Sequence, residues 1–187
     1  MRELVTLPNL LTSGNLAAGF LGLVAVSKDN IRIALALVVL AAVFDSLDGF
    51  VARRTNADGA FGANLDSLSD LLSFGVVPAM ALYEGQVHSL PVLGVAGALA
   101  FVLCGGWRLA RFPLVKSAHA FVGAPIPPTG IAVVVLALWA PSAVVALIAA
   151  VALSALMVSA VPFPTLAMCA RGAATVKSRS SRLLQHR

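Results

Sequence analysis

The chain has 187 residues, of which 59% are hydrophobic and only 11% are charged, and its formal net charge is +5. Soluble domains carry about 25% charged residues, so this composition excludes an ordinary soluble globule, a disordered chain and a disulfide-stapled secreted module. The two cysteines, Cys104 and Cys169, lie in apolar surroundings and indicate neither a disulfide framework nor a metal cluster.

Long apolar blocks separated by short polar turns predict six transmembrane helices in an all-α integral membrane bundle. The spans are expected at about 10–27, 31–52, 62–83, 91–109, 128–139 and from 141 to about 162–164. A short loop is expected at 84–89. A bilayer needs roughly 20 residues per span, so six spans leave no room for a separate soluble domain. We therefore predict one membrane domain over residues 1–187.

The basic residues are divided unequally between the two sides of this topology. Eleven Lys and Arg fall on one side, and only Lys28 and Arg32 fall on the other. The positive-inside rule then puts both termini, the loop at 53–60, the connection at 111–127 and a basic tail at about 175–187 in the cytoplasm. The same rule explains the net charge, so we expect a multi-pass protein of the cell membrane and no nucleic-acid partner.

Four of the eight acidic residues lie inside apolar spans or at their ends, namely Asp45, Asp48, Asp66 and Asp70. A carboxylate at membrane depth costs at least ~2.5–3.5 kcal/mol, so such residues indicate function. The first two are three residues apart and the last two are four apart, so each pair shares one helix face. Because a short loop joins the two helices, we expect four carboxylates to meet near their cytoplasmic ends.

Close carboxylates repel one another unless a cation holds them together. Ligands that are all oxygen select a hard divalent ion such as Mg²⁺, Mn²⁺ or Ca²⁺, and the absence of a nearby His argues against zinc. Such a metal with room for phosphate oxygens is typical of phosphoryl chemistry. A small cation transporter is the distant alternative, but it would need acids spread through the depth of the bilayer.

Small residues frame the acids, with Gly49 and Ala52 after Asp48 and Gly62 before Asp66. They either let a ligand approach the backbone or let two helices pack closely, and the sequence leaves both readings open. Arg53 ends its helix and can reach a phosphate with a fork of donors.

These residues form the pattern Asp45-x-x-Asp48-Gly49-x-x-Ala52-Arg53, eight residues, Gly62-x-x-x-Asp66-x-x-x-Asp70. It resembles the signature of the CDP-alcohol phosphatidyltransferase family at every fixed position. The resemblance implies a six-helix membrane enzyme, usually homodimeric, with a polar cavity open to the cytoplasm. Such enzymes transfer a phosphatidyl group from a CDP-linked lipid to an alcohol and release CMP.

The same resemblance assigns roles to individual residues. It implies that Asp45, Asp48, Asp66 and Asp70 hold the divalent metal and that Asp70 is also the general base. The residues implied to contact the CDP part are Gly49, Ala52, Arg53 and Gly62. Pro8, Asn9 and Thr12 are expected to cap the first helix. Asn9 and Thr12 are also candidates for the lipid-nucleotide site.

Within this family, three segments resemble the enzymes that use serine, at 7–16, 66–79 and 108–127. Relatives that use glycerol phosphate more often carry Pro and Lys where this chain has Ser67 and Leu71. Ala124, Pro128 and Thr129 depart from the residues usual in the serine enzymes. CDP-diacylglycerol and L-serine are therefore the expected substrates, with inositol phosphate, inositol and glycerol 3-phosphate as alternative acceptors.

The carboxylate of serine needs a cationic partner inside a pocket that already holds acids. Arg108 and Arg111 are three residues apart at the cytoplasmic end of the fourth span, and they are the candidates for this contact. Both also fit the alternative reading of positive-inside anchors at the level of the lipid headgroups.

Overall fold

The computed structural model describes residues 6–55, 59–111 and 123–159, and within these ranges the chain is helical and has no strand. The helices are α1 (Leu7–Ser27), α2 (Ile31–Thr55), α3 (Ala60–Val87), α4 (Pro91–Arg111), α5 (Ile126–Trp139) and α6 (Ala143–Val158). The expected basic tail, most of the connection at 111–127 and the end of the sixth span lie outside the described residues.

The first four helices have 21 to 28 residues and are apolar enough to cross a membrane. The prediction of an all-α membrane protein with multiple spans is therefore confirmed. Helices α5 and α6 are also apolar but have only 14 and 16 residues, which is less than the roughly 20 that a full crossing takes.

Helix α1 begins three residues before the predicted boundary. The Thr6 hydroxyl oxygen accepts a hydrogen bond of 3.4 Å from the backbone N–H of Asn9, and Pro8 lies in the first turn. Both features are typical of a helix start. Asn9 and Thr12 lie inside the helix, so the expectation that they cap it is wrong, and both side chains are left for other contacts.

Helix α3 is the central helix of the bundle and packs against each of the other five described helices. In the stretch of α3 that is long enough to cross a membrane, 56% of the residues are buried. In the corresponding stretches of α2 and α4 the share is 22%. Two stretches, Leu71–Val76 and Tyr83–Val87, are wound more widely than an α-helix. Such π-type turns are rare and often accompany functional sites. The first of them begins directly after Asp70.

The predicted loop at 84–89 is wrong over residues 84–87, because α3 continues to Val87. The Gln86 side-chain amide donates hydrogen bonds of 3.3 and 3.4 Å to the carbonyl oxygens of Ala137 and Ala140, at the end of α5. Those carbonyls lack partners within their own helix. This contact explains why a polar stretch stays helical.

Small residues let the helices approach closely around α3. A Cβ added to Gly19 of α1 would lie 2.3 Å from Ser73 Oγ, and one added to Gly130 of α5 would lie 2.6 Å from the carbonyl oxygen of Phe74. Membrane helices commonly pack through such residues. As a result, the polar faces of α1 and α3 meet directly.

Candidate active site

Three of the four acids predicted to bind a metal come together in the structure. One carboxylate oxygen each from Asp45 and Asp48 on α2 and from Asp66 on α3 lie within 4.8 Å of one another. Asp48 is buried and the other two are half-buried. This all-oxygen donor set, supplied by two helices at one depth, matches what Mg²⁺ and Mn²⁺ prefer.

The fourth acid, Asp70, lies one turn further along α3 and is only 7% exposed. Its Oδ1 accepts a hydrogen bond of 3.0 Å from the side-chain amide of Asn15 on α1. Its charge interacts with those of Asp45, Asp48 and Asp66. Asp70 therefore lies beside the group of three, and its place among the metal ligands stays a prediction.

Helix α1 contributes no acid to this site but donates hydrogen bonds to two of the acids. The Thr12 hydroxyl lies 2.8 Å from Asp48 Oδ2 and 3.0 Å from the backbone carbonyl oxygen of Pro8 in the same helix. Thr12 and Asn15 are three residues apart and therefore share one face of α1. Sequence reasoning missed the role of Asn15, although an amide inside an apolar span, one turn after Thr12, was a usable signal.

A cavity of about 470 Å³ opens where the start of α1, the end of α2 and the start of α3 meet. All six residues predicted to contact the CDP-lipid line it, together with two of the acids. The full lining is Pro8, Asn9, Thr12, Asp48, Gly49, Ala52, Arg53, Gly59, Ala60, Gly62, Ala63 and Asp66. Pro8 was expected at the start of the first helix but not in the cavity lining. The sequence did not single out Gly59, Ala60 or Ala63, whose only signal was their small side chains near the motif.

The small residues of the motif serve the cavity and the packing together. A Cβ added to Gly49 would lie 3.3 Å from the guanidinium of Arg53, which therefore lies over Gly49 at the cavity wall. A Cβ added to Gly62 would lie 2.9 Å from Asn9 Oδ1. The structure is therefore compatible with both roles of these small residues, approach of a ligand to the backbone and close packing of helices.

The two arginines that follow each other at the end of α2 have different surroundings. Arg53 is exposed and lines the cavity. Arg54 lies over the ring of Phe50, 4.5 Å from its centroid. That ring is 48% exposed on the outer side of α2, so Arg54 stays at the surface of the protein.

The two candidate acceptor arginines differ as well. Arg108 is half-buried, and its charge interacts with that of Asp70. Its Nε is buried without a hydrogen-bond partner among the described residues. Arg111 is exposed at the end of α4. Only Arg108 is thus near the acids.

A family model described as CDP-alcohol phosphatidyltransferase matches residues 5–165. The chain belongs to the CDP-alcohol phosphatidyltransferase family. The matched residues include the whole cavity lining and all four acids, and the resemblance stated from the motif is confirmed. As a CDP-alcohol phosphatidyltransferase, the chain is a transferase of phospholipid biosynthesis with membrane-spanning helices.

Three relatives of this CDP-alcohol phosphatidyltransferase have names that specify their acceptor. The CDP-diacylglycerol–serine O-phosphatidyltransferase of Bacillus subtilis is 35% identical over 159 residues, which cover 84% of this chain and 89% of that protein. The enzyme of the same name from Methanocaldococcus jannaschii is 36% identical over 164 residues, 88% of this chain and 76% of that protein. The archaetidylserine synthase of Methanothermobacter thermautotrophicus is 38% identical over 164 residues, 86% of this chain and 70% of that protein.

Proposed function

We propose that this protein transfers the phosphatidyl group of CDP-diacylglycerol to the hydroxyl of L-serine, forming phosphatidylserine and releasing CMP. One observation carries the proposal: three converging carboxylates adjoin a cavity lined by every residue that the family motif assigns to the CDP-lipid. Serine as acceptor is supported by the names of the three relatives, two of which specify serine and diacylglycerol.

The donor set of the three converging acids fits Mg²⁺ or Mn²⁺. In our proposal Asp45, Asp48 and Asp66 hold the ion, and Asp70 approaches it from the next turn of α3. A divalent ion bound there would offset the charge of the diphosphate and of the departing CMP.

The remaining chemistry is assigned to side chains of this chain. Arg53 binds a phosphate of the diphosphate with its fork of donors. Gly49, Ala52 and Gly62 leave room for the nucleotide at the cavity wall. Together they hold the donor lipid with its phosphorus next to the acids, which lowers the entropic cost of reaction.

Asp70 is the general base in this scheme. It accepts the proton of the serine hydroxyl while the hydroxyl oxygen bonds to the phosphatidyl phosphorus and the bond from that phosphorus to the CMP oxygen breaks. Among the residues that line the cavity there is no His or Cys. We therefore favour direct attack by serine over a covalent enzyme intermediate.

Arg108 is our candidate for binding the serine carboxylate, because it is half-buried and its charge interacts with that of Asp70. A guanidinium can bind a carboxylate through two parallel hydrogen bonds. Arg111, which is exposed, fits an anchor at the level of the lipid headgroups better.

We further propose one membrane domain over residues 1–187, with six spans, both termini in the cytoplasm and the cavity opening to that side. The distribution of eleven basic residues against two supports this orientation. Serine and CMP are water-soluble, which fits a cytoplasmic opening. A homodimer is proposed from the family resemblance alone.

The acceptor is tested with purified protein in lipid nanodiscs, supplied with CDP-diacylglycerol and one labelled alcohol at a time. We expect label from serine to enter lipid with one CMP released per product, and a chelator to stop both. Incorporation only from inositol, inositol phosphate or glycerol 3-phosphate would reassign the acceptor. A folded preparation that releases no CMP with any of them would contradict the reaction class.

A further inference from the structure

Helix α1 places two hydrogen-bond donors against carboxylates from two different helices. Thr12 donates to Asp48 on α2, and Asn15 donates to Asp70 on α3, over 2.8 and 3.0 Å. Both α1 side chains are buried, and Asn15 is fully inaccessible. The two contacts are one helical turn apart, so α1 spans the gap between a proposed metal ligand and the proposed base.

We infer that Asn15 is a positioning residue for Asp70. Its amide N–H holds Asp70 Oδ1, which restricts rotation of the carboxyl group and leaves Oδ2 as the oxygen available to the acceptor hydroxyl. Without this donor the carboxylate is free to turn toward the other acids. Partners of this kind, one step removed from the reacting atoms, commonly orient functional groups. The inference rests on the proposed function of Asp70.

The burial of Asn15 argues that the contact with Asp70 is the reason for an amide at this position. Its other polar atom, Oδ1, is buried without a hydrogen-bond partner in the described part of the chain. An unsatisfied amide oxygen inside a membrane protein is costly, and a leucine of similar size would avoid that cost. The bond to Asp70 is the compensating contact.

A second contact of Asn15 provides a control for packing. Ser73 on α3 donates from its hydroxyl to the backbone carbonyl of Asn15 over 3.1 Å. Ser73→Ala removes a hydrogen bond between the same two helices at the same level, but it leaves the bond from Asn15 to Asp70 in place. Asn15→Leu removes only the bond to Asp70 while keeping the size of the side chain.

The test measures kcat, the KM for serine and for CDP-diacylglycerol, Mn²⁺ binding and Tm for Asn15→Leu, Thr12→Val and Ser73→Ala. For Asn15→Leu we expect kcat to fall ~10–100-fold with both KM values and Mn²⁺ affinity nearly unchanged, and excess Mn²⁺ not to restore the rate. For Thr12→Val we expect weaker Mn²⁺ binding and a rate that recovers with excess metal. Ser73→Ala should resemble the wild type.

Infrared spectroscopy tests the hydrogen bond without any catalysis. Asn15→Leu should shift a carboxylate stretching band, and the same substitution in an Asp70→Asn background should shift none. This readout keeps the inference separate from the proposed reaction, because it applies even to a protein that releases no CMP. If Asn15→Leu does not fold, Asn15→Ser is measured instead, since its shorter side chain cannot reach Asp70.

Wild-type kcat in Asn15→Leu, or a raised KM for serine at unchanged kcat, would overturn the positioning role. Recovery of the Asn15→Leu rate with excess Mn²⁺ would also overturn it, because Asp70 would then act as a metal ligand rather than as the base. An equal loss of kcat in Ser73→Ala would show that packing between α1 and α3, rather than the bond to Asp70, sets the rate.

Discussion

The hydroxyl of Thr12 lies 2.8 Å from Oδ2 of Asp48, so a helix without a single acid supports one of the three converging carboxylates. This contact fixes how Asp48 can turn, and it comes from the helix whose first turn also lines the cavity. Asp48 on α2 and Asp70 on α3 thus both accept hydrogen bonds from side chains of α1.

Asp48→Asn should abolish transfer while the protein stays folded. The amide keeps the size of the side chain but loses the charge that binds a divalent ion. We expect turnover below the detection limit across a Mn²⁺ titration, with Tm close to that of the wild type. Ser46→Ala is the matched control, because its exposed hydroxyl donates to the Ala42 carbonyl of its own helix. Wild-type turnover of Asp48→Asn at low Mn²⁺ would refute the metal assignment.

Asp70→Asn should still bind CDP-diacylglycerol but transfer almost nothing to serine. The loss of a general base lowers turnover by roughly 10²–10⁴-fold even at saturating metal and donor lipid. The measurement is single-turnover CMP release beside equilibrium binding of the donor lipid. Near-normal turnover on addition of metal would reassign Asp70 from base to ligand.

Arg53→Gln should raise the KM for CDP-diacylglycerol, and Arg54→Gln should leave it nearly unchanged. Arg53 lines the cavity, whereas Arg54 lies over the exposed ring of Phe50. A hydrogen bond to a charged group contributes about 1.5–3 kcal/mol, which corresponds to a tenfold or larger change in affinity. Steady-state kinetics with the donor lipid varied checks both variants. Equal effects would show that net charge at the membrane surface, not contact with phosphate, explains the loss.

Arg108→Gln should raise the KM for serine about tenfold or more, since it removes a charge-assisted partner for the substrate carboxylate. Arg111→Gln is the control, because Arg111 is exposed at the end of α4. Serine kinetics at saturating CDP-diacylglycerol measure both. A larger effect of Arg111→Gln would exchange the roles proposed for the two arginines.

Gly130→Ala should destabilise the protein, because its Cβ would lie 2.6 Å from the backbone oxygen and 2.9 Å from the Cα of Phe74. Backbone atoms of a central helix cannot move aside easily, and overpacking of this kind costs about 1–3 kcal/mol. Gly106→Ala is the control, since among the described residues its Cβ would meet only Leu71, at an ordinary contact distance of 3.8 Å. Thermal unfolding in detergent should show a lower Tm for Gly130→Ala alone.

Much of the candidate site was predictable because its residues are chemically conspicuous. Carboxylates in apolar spans and small residues at fixed spacing give a strong signal, and all six predicted CDP-lipid residues line one cavity. Spacing on a helix also predicted the approach of Asp45, Asp48 and Asp66. Asn15 gave a weaker signal, a single amide inside an apolar span, and its partner Asp70 lies 55 positions away on another helix.

The extent of the central helix was not predictable from local composition. The polar residues from Glu84 onward indicate a loop, yet Gln86 stays helical because its amide meets the end of α5. Local composition did not predict the wide turn at Leu71–Val76 either.

The arrangement of donors on α1 also bears on how the protein is made. Translation delivers the N-terminus first, so α1 and α2 leave the ribosome before α3. Asp45 and Asp48 must then enter the bilayer without Asp66, and with no partner yet from the central helix. Thr12 on α1 is already present to donate a hydrogen bond to Asp48 on α2. The pair of helices α1 and α2 therefore contains a hydrogen-bond donor for one of its two acids. Asp66 and Asp70 enter later with α3, when Asn15 of α1 is already present to donate a hydrogen bond to Asp70. The order of helices along the chain therefore makes a donor on α1 available to Asp48 and to Asp70 by the time each is inserted, which lowers the cost of inserting these two acids.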